Sequence, residues 1–184
     1  MADISLPLLG FAAFSGTGKT TLLTKVIPLL KASGIRIGMI KHAHHDFDID
    51  QAGKDSYELR KAGADQMLIA SSKRWALMVE TPGQTEADLD TLLKQLDLSQ
   101  LDLVLVEGFK REAFPKIELH RPALGRPLLF PADKNIIAIA TDSPLNGIEL
   151  SIPCLDLNNT ANIAQFICHN ILQLPAVKQP AGDA

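Results

Sequence analysis

Six consecutive residues, Gly16-Thr17-Gly18-Lys19-Thr20-Thr21, bring together a flexible backbone, one ammonium and three hydroxyls, and Ser15 adds a fourth hydroxyl just before them. That combination suits one task, holding phosphate. Glycines let backbone N–H groups converge on an anion, a lysine reaches its outer oxygens, and a hydroxyl following the lysine can coordinate Mg²⁺. The strict pattern G-x-x-x-x-G-K-[ST] asks for Gly at position 13, where this chain has Ala13, the smallest residue with a Cβ. A second group that could serve the same chemistry is Glu107, the acidic end of the apolar run LDLVLVE. A carboxylate at a strand end beside a phosphate loop holds the metal, directly or through water, or orients an attacking water. Asp142 follows the apolar run IIAIAT. A carboxylate there either accepts from the N1 and N2 hydrogens of guanine or caps the Ser143-Pro144-Leu145 turn. The usual Asn-Lys-x-Asp of guanine readers is missing. His42, His44, His45 and Asp46 form a last cluster, and Asp46, Asp48 and Asp50 are also candidates for positioning Mg²⁺ or the attacking water.

These groups need elements that aim them at one place. Leu6–Ala12 has no alternation, as in a parallel strand covered on both faces. Gly18–Ala32 is predicted as a helix with a broad leucine face, stopping at Gly34, with Pro28 as an internal irregularity. Ile35–Lys41 is the next strand, which completes a βαβ unit. The loop, the strand and the helix start therefore coincide, and a helix N-terminus favours an anion there. His42–Lys54 begins where the second strand ends, on the side where open α/β sheets bind ligands. It is read as a lid or partner-contact segment. The adjacent His44 and His45 do not easily face one ion together, so a transition-metal site is the lesser reading. Asp55 and Glu58 look like a capping pair for a short helix ending at Gly63.

Residues 66–79 are read as a β-hairpin whose Trp75, Leu77 and Val79 line one apolar face, either core or dimer contact. Glu86–Leu96 is predicted as an amphipathic helix and Leu101–Val106 as a buried strand. Lys116–His120 alternates, which suggests an edge or hairpin strand within a second excursion over 114–130. Ile136–Ala140 and Ile152–Leu157 are further strands, and Asn158 or Asn159 caps a helix over 160–172. Residues 1–174 are thus read as a single nucleotide-binding domain, with a mobile tail at 175–184.

Composition bounds the class. The chain has 184 residues, 46% apolar, with net charge −3. A core-forming domain fits this, and neither nucleic acid nor a membrane surface is implied. No apolar run reaches the ~20 residues of a membrane span, and no signal peptide is visible, so the cytoplasm is the expected compartment. Cys154 and Cys168 lack metal-binding spacing and are expected to be reduced core residues.

Five segments are more specific than the loop alone: FSGTGKTTLL (14–23), GMIKHAHHDFDID (38–50), GKDSYELRKAGA (53–64), RWALMVETP (74–82) and LDLVLVEGFK (101–110). Together they closely resemble the molybdopterin-guanine dinucleotide biosynthesis adapter family, with the likeness running from the first strand to about Asp156. The resemblance implies a three-layer α/β fold of the phosphate-loop NTPase type, with a mostly parallel sheet and a small antiparallel extension. It implies GTP and Mg²⁺ as ligands and weak hydrolysis. It also implies a homodimer built through strands outside the core, and a molybdopterin guanylyltransferase as the partner that is assisted. Phosphate contacts then fall on Gly16, Thr17, Gly18, Lys19, Thr20 and Thr21, and metal contacts on Thr20 and Glu107. Lys110 and Arg111 are candidates for a phosphate of a second ligand such as molybdopterin, or form a solvated turn. Two rival activities remain: a metallochaperone GTPase using the His cluster, and a small-molecule kinase using the two arginines of the Arg121–Arg126 loop as a lid.

Overall fold

The computed structural model describes residues 6–43, 47–84 and 86–174. His44, His45, Asp46 and the expected tail at 175–184 lie outside them. The described residues resolve into two compact units, one built from residues 6–42 and 89–174 and the other from those between 43 and 88.

The larger unit carries a six-stranded sheet. Its strands are β1 (Leu8–Ala12), β2 (Ile37–Lys41), β5 (Leu103–Glu107), β6 (Lys116–His120), β7 (Ile136–Thr141) and β8 (Cys154–Asp156). The spatial order is β2-β5-β1-β6-β7-β8, and every pairing is parallel. Helices α1 (Lys19–Ala32) and α4 (Thr160–Asn170) cover one face. Leu9, Phe11, Leu103, Leu105, Ile117 and Leu119 point into that layer, against Leu23, Val26, Leu30, Ile163 and Ile167. The opposite face is lined by Val104 and Val106, and the Phe114 ring lies where a Cβ on Gly10 would be. With both faces covered, the strands are continuously apolar.

Helix α1 ends as its sequence predicts. Gly34 has φ +82, its N–H donates to Lys31 O (2.9 Å), and the Ile35 N–H donates to Leu30 O (3.2 Å). This is a Schellman stop that uses a residue free to turn left-handed. Pro28 lies on the exposed side, where solvent can satisfy the carbonyl it strands. Asn159 caps α4 by accepting from the Asn162 N–H (3.0 Å). The predicted helix over 86–96 is shorter: α3 is Leu89–Leu93, continued by i→i−3 bonds at Gln95 and Leu96.

Three expectations are corrected. The 114–130 stretch is not a hairpin: β6 is an interior parallel strand between β1 and β7. Its polar alternation is buried, and Lys116 and Glu118 are hydrogen-bonded there. Lys116 Nζ donates to Glu112 O (2.6 Å) and pairs with Asp133 (3.0 Å). The Glu118 carboxylate accepts the Leu129 and Phe130 N–H groups, each at 2.8 Å. Burial pushes the Glu118 carboxyl above its usual range, and those two N–H groups oppose the shift. Cys154 is exposed, so only Cys168 is a core thiol.

The smaller unit holds α2 (Asp55–Lys61) and an antiparallel pair, β3 (Gln66–Ala70) with β4 (Trp75–Val79). The third correction falls here. Asp55 is the first helical residue and Lys54 is the cap, while Glu58 reaches back to the Gly53 N–H (3.2 Å). Arg60 gathers Asp48, Asp50 and Glu80 at 2.6, 2.7 and 2.8 Å, binding the segment before α2 to the end of β4. Trp75, Leu77 and Val79 are 66%, 38% and 46% exposed, so they are not core residues of this chain.

At the far end of the sheet, Arg36 and Asp102 tie the starts of β2 and β5 together through the Arg36 side chain and backbone N–H. Arg36 holds the Asp102 carboxyl down at about 2, against an ordinary carboxylate value of 3.8. A depressed folded-state pKa means the stabilisation is complete above the ordinary value and is lost as pH falls through about 2. Asp102→Asn is expected to lower stability at neutral pH and to flatten its acid dependence between pH ~4 and ~2. Denaturant melts across that range measure both effects.

Candidate functional site

The loop after β1 is shaped by two glycines. Gly16 has φ +80 and Gly18 has φ +100, both in the left-handed region, and a Cβ on Gly16 would meet nothing within 4 Å. The Thr17 hydroxyl donates to Phe14 O (2.8 Å), so this side chain shapes the loop. Gly18 is the N-cap of α1, and the first helical bond runs from the Leu22 N–H to Gly18 O (2.9 Å). The N–H groups before it therefore open towards whatever lies at the helix start. Ala13 is buried and packs in the core, so a methyl is accommodated at the position where the motif asks for Gly.

Lys19 sits over this loop with Nζ 3.4 Å from Ala13 O. Burial lowers its pKa from the ordinary lysine value. Glu107 opposes that shift, and Lys110 and Lys41 add to it. A partly desolvated cation repelled by two others is a ready seat for phosphate oxygens.

Glu107 ends β5 beside β1, in register with Phe11, and its carboxylate is 3.8 Å from Lys41 Nζ. The tips of β2 and β5 are locked together. The His42 N–H donates to Glu107 O (2.8 Å), and the His42 ring stacks on Phe109 with centroids 4.9 Å apart. Between them Gly108 has φ +97, and a Cβ there would lie 2.6 Å from His42 Cβ.

Cations surround the loop. Lys110 Nζ and Arg126 Cζ lie 5.5 and 5.7 Å from the centroid of the Phe14 ring. Arg121, at the end of β6, donates through Nε to Thr17 O (2.9 Å) and pairs through Nη1 with Asp142 Oδ2. The turn after β7 is closed by Thr141, whose hydroxyl donates to Ser143 O (2.9 Å), rather than by Asp142. Asp142 Oδ1 is buried and has no hydrogen-bond partner among the described residues.

The structure thus gathers Thr17, Gly18, Lys19, Glu107 and Asp142 within one linked set of contacts at the carboxyl ends of the strands. Ser15, Thr20 and Thr21 are exposed at its loop and helix start. Asp46 lies outside the described residues. The sequence offers Arg121 only as a lid residue of the rival kinase reading, not as a contact between the phosphate loop and Asp142, and leaves Phe14 and Lys41 unassigned. Recognising β6 as parallel would have found Arg121, because residues just past parallel strand ends face the ligand.

A parallel sheet whose first strand runs through such a loop into a helix defines a phosphate-loop nucleotide-binding protein. The sequence profile of the family described as molybdopterin guanine dinucleotide synthesis protein B matches residues 8–142. The chain belongs to this family, and is thereby an adapter protein of molybdopterin guanine dinucleotide biosynthesis. The adapter protein of that pathway from Escherichia coli (strain K12) is 56% identical over 163 residues, covering 88% of this chain and 91% of that one. Its counterpart in Haemophilus influenzae (strain Rd) is 48% identical over 162 residues, covering 88% of each. A crystal structure of molybdopterin-guanine biosynthesis protein B superposes with a TM-score of 0.68 at 25% identity, covering 89% of this chain and 99% of that one. Among the described residues no helix is long and apolar enough to cross a membrane.

Proposed function

We propose that this chain binds GTP·Mg²⁺ at the Ser15–Thr21 loop and, in that state, assists a molybdopterin guanylyltransferase. The observation that carries the reading is Lys19, a partly desolvated ammonium held over a glycine-shaped loop at a helix start. Gly16, Gly18 and Lys19 take the phosphates. Thr20 and Glu107 hold Mg²⁺, directly or through water. Among the described residues no three His, Cys, Asp or Glu side chains converge as a metal cage, which suits an ion that leans on phosphates and water. Bound Mg²⁺ supplies positive charge between the outer phosphate oxygens. Asp142 accepts from the guanine N1 and N2 hydrogens.

Hydrolysis is slow in this reading, because Arg121, the arginine that contacts the phosphate loop, is tied to Thr17 O and Asp142, and the sequence shows no water-positioning glutamine. The protein acts in the cytoplasm as a homodimer. Support for the homodimer comes from the apolar face of the β3–β4 pair, where Leu68 and Trp75 are 60% and 66% exposed.

Calorimetric titration with GTP and ATP in Mg²⁺, followed by pull-down from cell extract with and without GTP, tests the reading. Selective GTP binding and GTP-dependent recovery of a molybdopterin guanylyltransferase are expected. Equal binding of ATP, or no nucleotide binding, sinks it.

A further inference from the structure

Arg121 has no role in the function proposed above, yet it touches both halves of the nucleotide seat. Its guanidinium fork spans two strand ends. Nε donates to the carbonyl of Thr17, inside the phosphate loop, at 2.9 Å, and Nη1 holds Asp142 Oδ2 at the end of β7. Nη2 lies 3.6 Å from where a Cβ on Gly18 would be, so the flat group also packs along the loop backbone. The grip on Asp142 is one-sided. It uses Oδ2 and leaves Oδ1 buried without a hydrogen-bond partner among the described residues. A buried acceptor of this kind costs free energy in the free protein, so the carboxylate is held in place against that cost.

We infer that Arg121 is the positioning residue that joins the phosphate seat to the base seat, fixing the partly exposed Asp142 carboxylate so that it accepts from the N–H edge of a purine. The inference rests on the proposal that Asp142 reads guanine. A planar fork suits the task because two of its N–H groups diverge at a fixed angle. A lysine ammonium has neither the plane nor the reach to hold both partners. The spacing between Thr17 and Asp142 then sets the distance between phosphate and base that a ligand must span, so any change in the brace is read as a change in base preference.

The test is calorimetric titration of GTP, XTP and ATP, with Mg²⁺, on the full chain and on Asp142→Asn, Arg121→Gln and Arg121→Lys. Melting temperatures without nucleotide serve as the structural control. Wild type is expected to prefer GTP. Asp142→Asn moves the preference towards XTP, since a carboxamide donates to the xanthine 2-oxo group. Arg121→Gln leaves the phosphate loop in place and reduces the GTP-over-XTP and GTP-over-ATP ratios by on the order of tenfold, the worth of a hydrogen bond to a charged group. Arg121→Lys keeps the charge and loses part of the same ratio, so it carries the test if the glutamine variant does not fold. A wild type indifferent to the base overturns the guanine reading and the inference with it. A wild type that prefers GTP, together with Arg121 variants that keep that preference whatever happens to their melting temperatures, overturns the inference alone.

Discussion

Replacing Lys19 with alanine is expected to weaken GTP·Mg²⁺ binding by on the order of 100-fold, with little change in the melting temperature of the nucleotide-free protein. The first half follows from what Lys19 offers. It is the cation placed directly over the loop, and charge-assisted hydrogen bonds to phosphate are worth about 1.5–3 kcal/mol each. The second half follows from what Lys19 pays in the free protein. Burial disfavours its charged form, Lys41 and Lys110 repel it, and its hydrogen bond to Ala13 O is long at 3.4 Å. Removing a desolvated charge with one weak bond relieves about as much as it loses. Calorimetry on both proteins and thermal melts without nucleotide measure the two halves separately. Unchanged affinity would show that the phosphate seat lies elsewhere, whereas a large drop in the apo melting temperature would show that Lys19 serves the fold.

The phosphate loop was legible in the sequence because everything it needs is local. Two glycines supply positive φ, a lysine and a hydroxyl follow, and an apolar strand and a leucine-faced helix flank them within one βαβ unit. Glu107 was legible for the same reason, as the acidic end of an unbroken apolar run. Of the site's other half the sequence names only Asp142, and β6 shows why. Lys116, Glu118 and His120 alternate with Ile117 and Leu119, the pattern of a strand with one wet face. Here the polar face is dry. Glu118 serves two backbone N–H groups of a loop eleven and twelve residues away, and Lys116 is bonded to a backbone carbonyl and to Asp133. Periodicity reports which residues share a face, not what covers it. Reading β6 as a hairpin strand puts Arg121 in a surface loop, as a lid residue at most, and hides its place at a parallel strand end. The β3–β4 pair taught the converse. Trp75, Leu77 and Val79 do share an apolar face, but the chain leaves that face exposed. At α2, the pairing of Asp55 with Glu58 pointed to the right helix but placed its start one residue late, because Lys54 and not Asp55 adopts the extended backbone of the cap.

Gly108→Ala carries the largest expected loss of stability, about 2–4 kcal/mol, and a weaker grip on Mg²⁺ follows from it. Two costs add. With φ +97, an alanine is forced into a region that L-residues enter at about 1–2 kcal/mol. The new Cβ would also stand 2.6 Å from His42 Cβ, a separation that real Cβ atoms do not tolerate. His42 cannot simply retreat. Its backbone N–H is bonded to Glu107 O at 2.8 Å, and its ring stacks on Phe109 at 4.9 Å. Relief therefore comes from parting the tips of β2 and β5, which displaces Glu107 and its neighbour Lys41. Gly16→Ala is the matched control, with a similar φ of +80 but open space around its Cβ, so it carries the strain without the clash. Urea melts of the two variants separate the costs, and Mg²⁺-dependent GTP affinity reports the displacement of Glu107. Equal destabilisation by both substitutions would mean that His42 does not press against the Gly108 turn. A Gly108→Ala protein that loses stability but keeps wild-type Mg²⁺ dependence would remove Glu107 from the metal site.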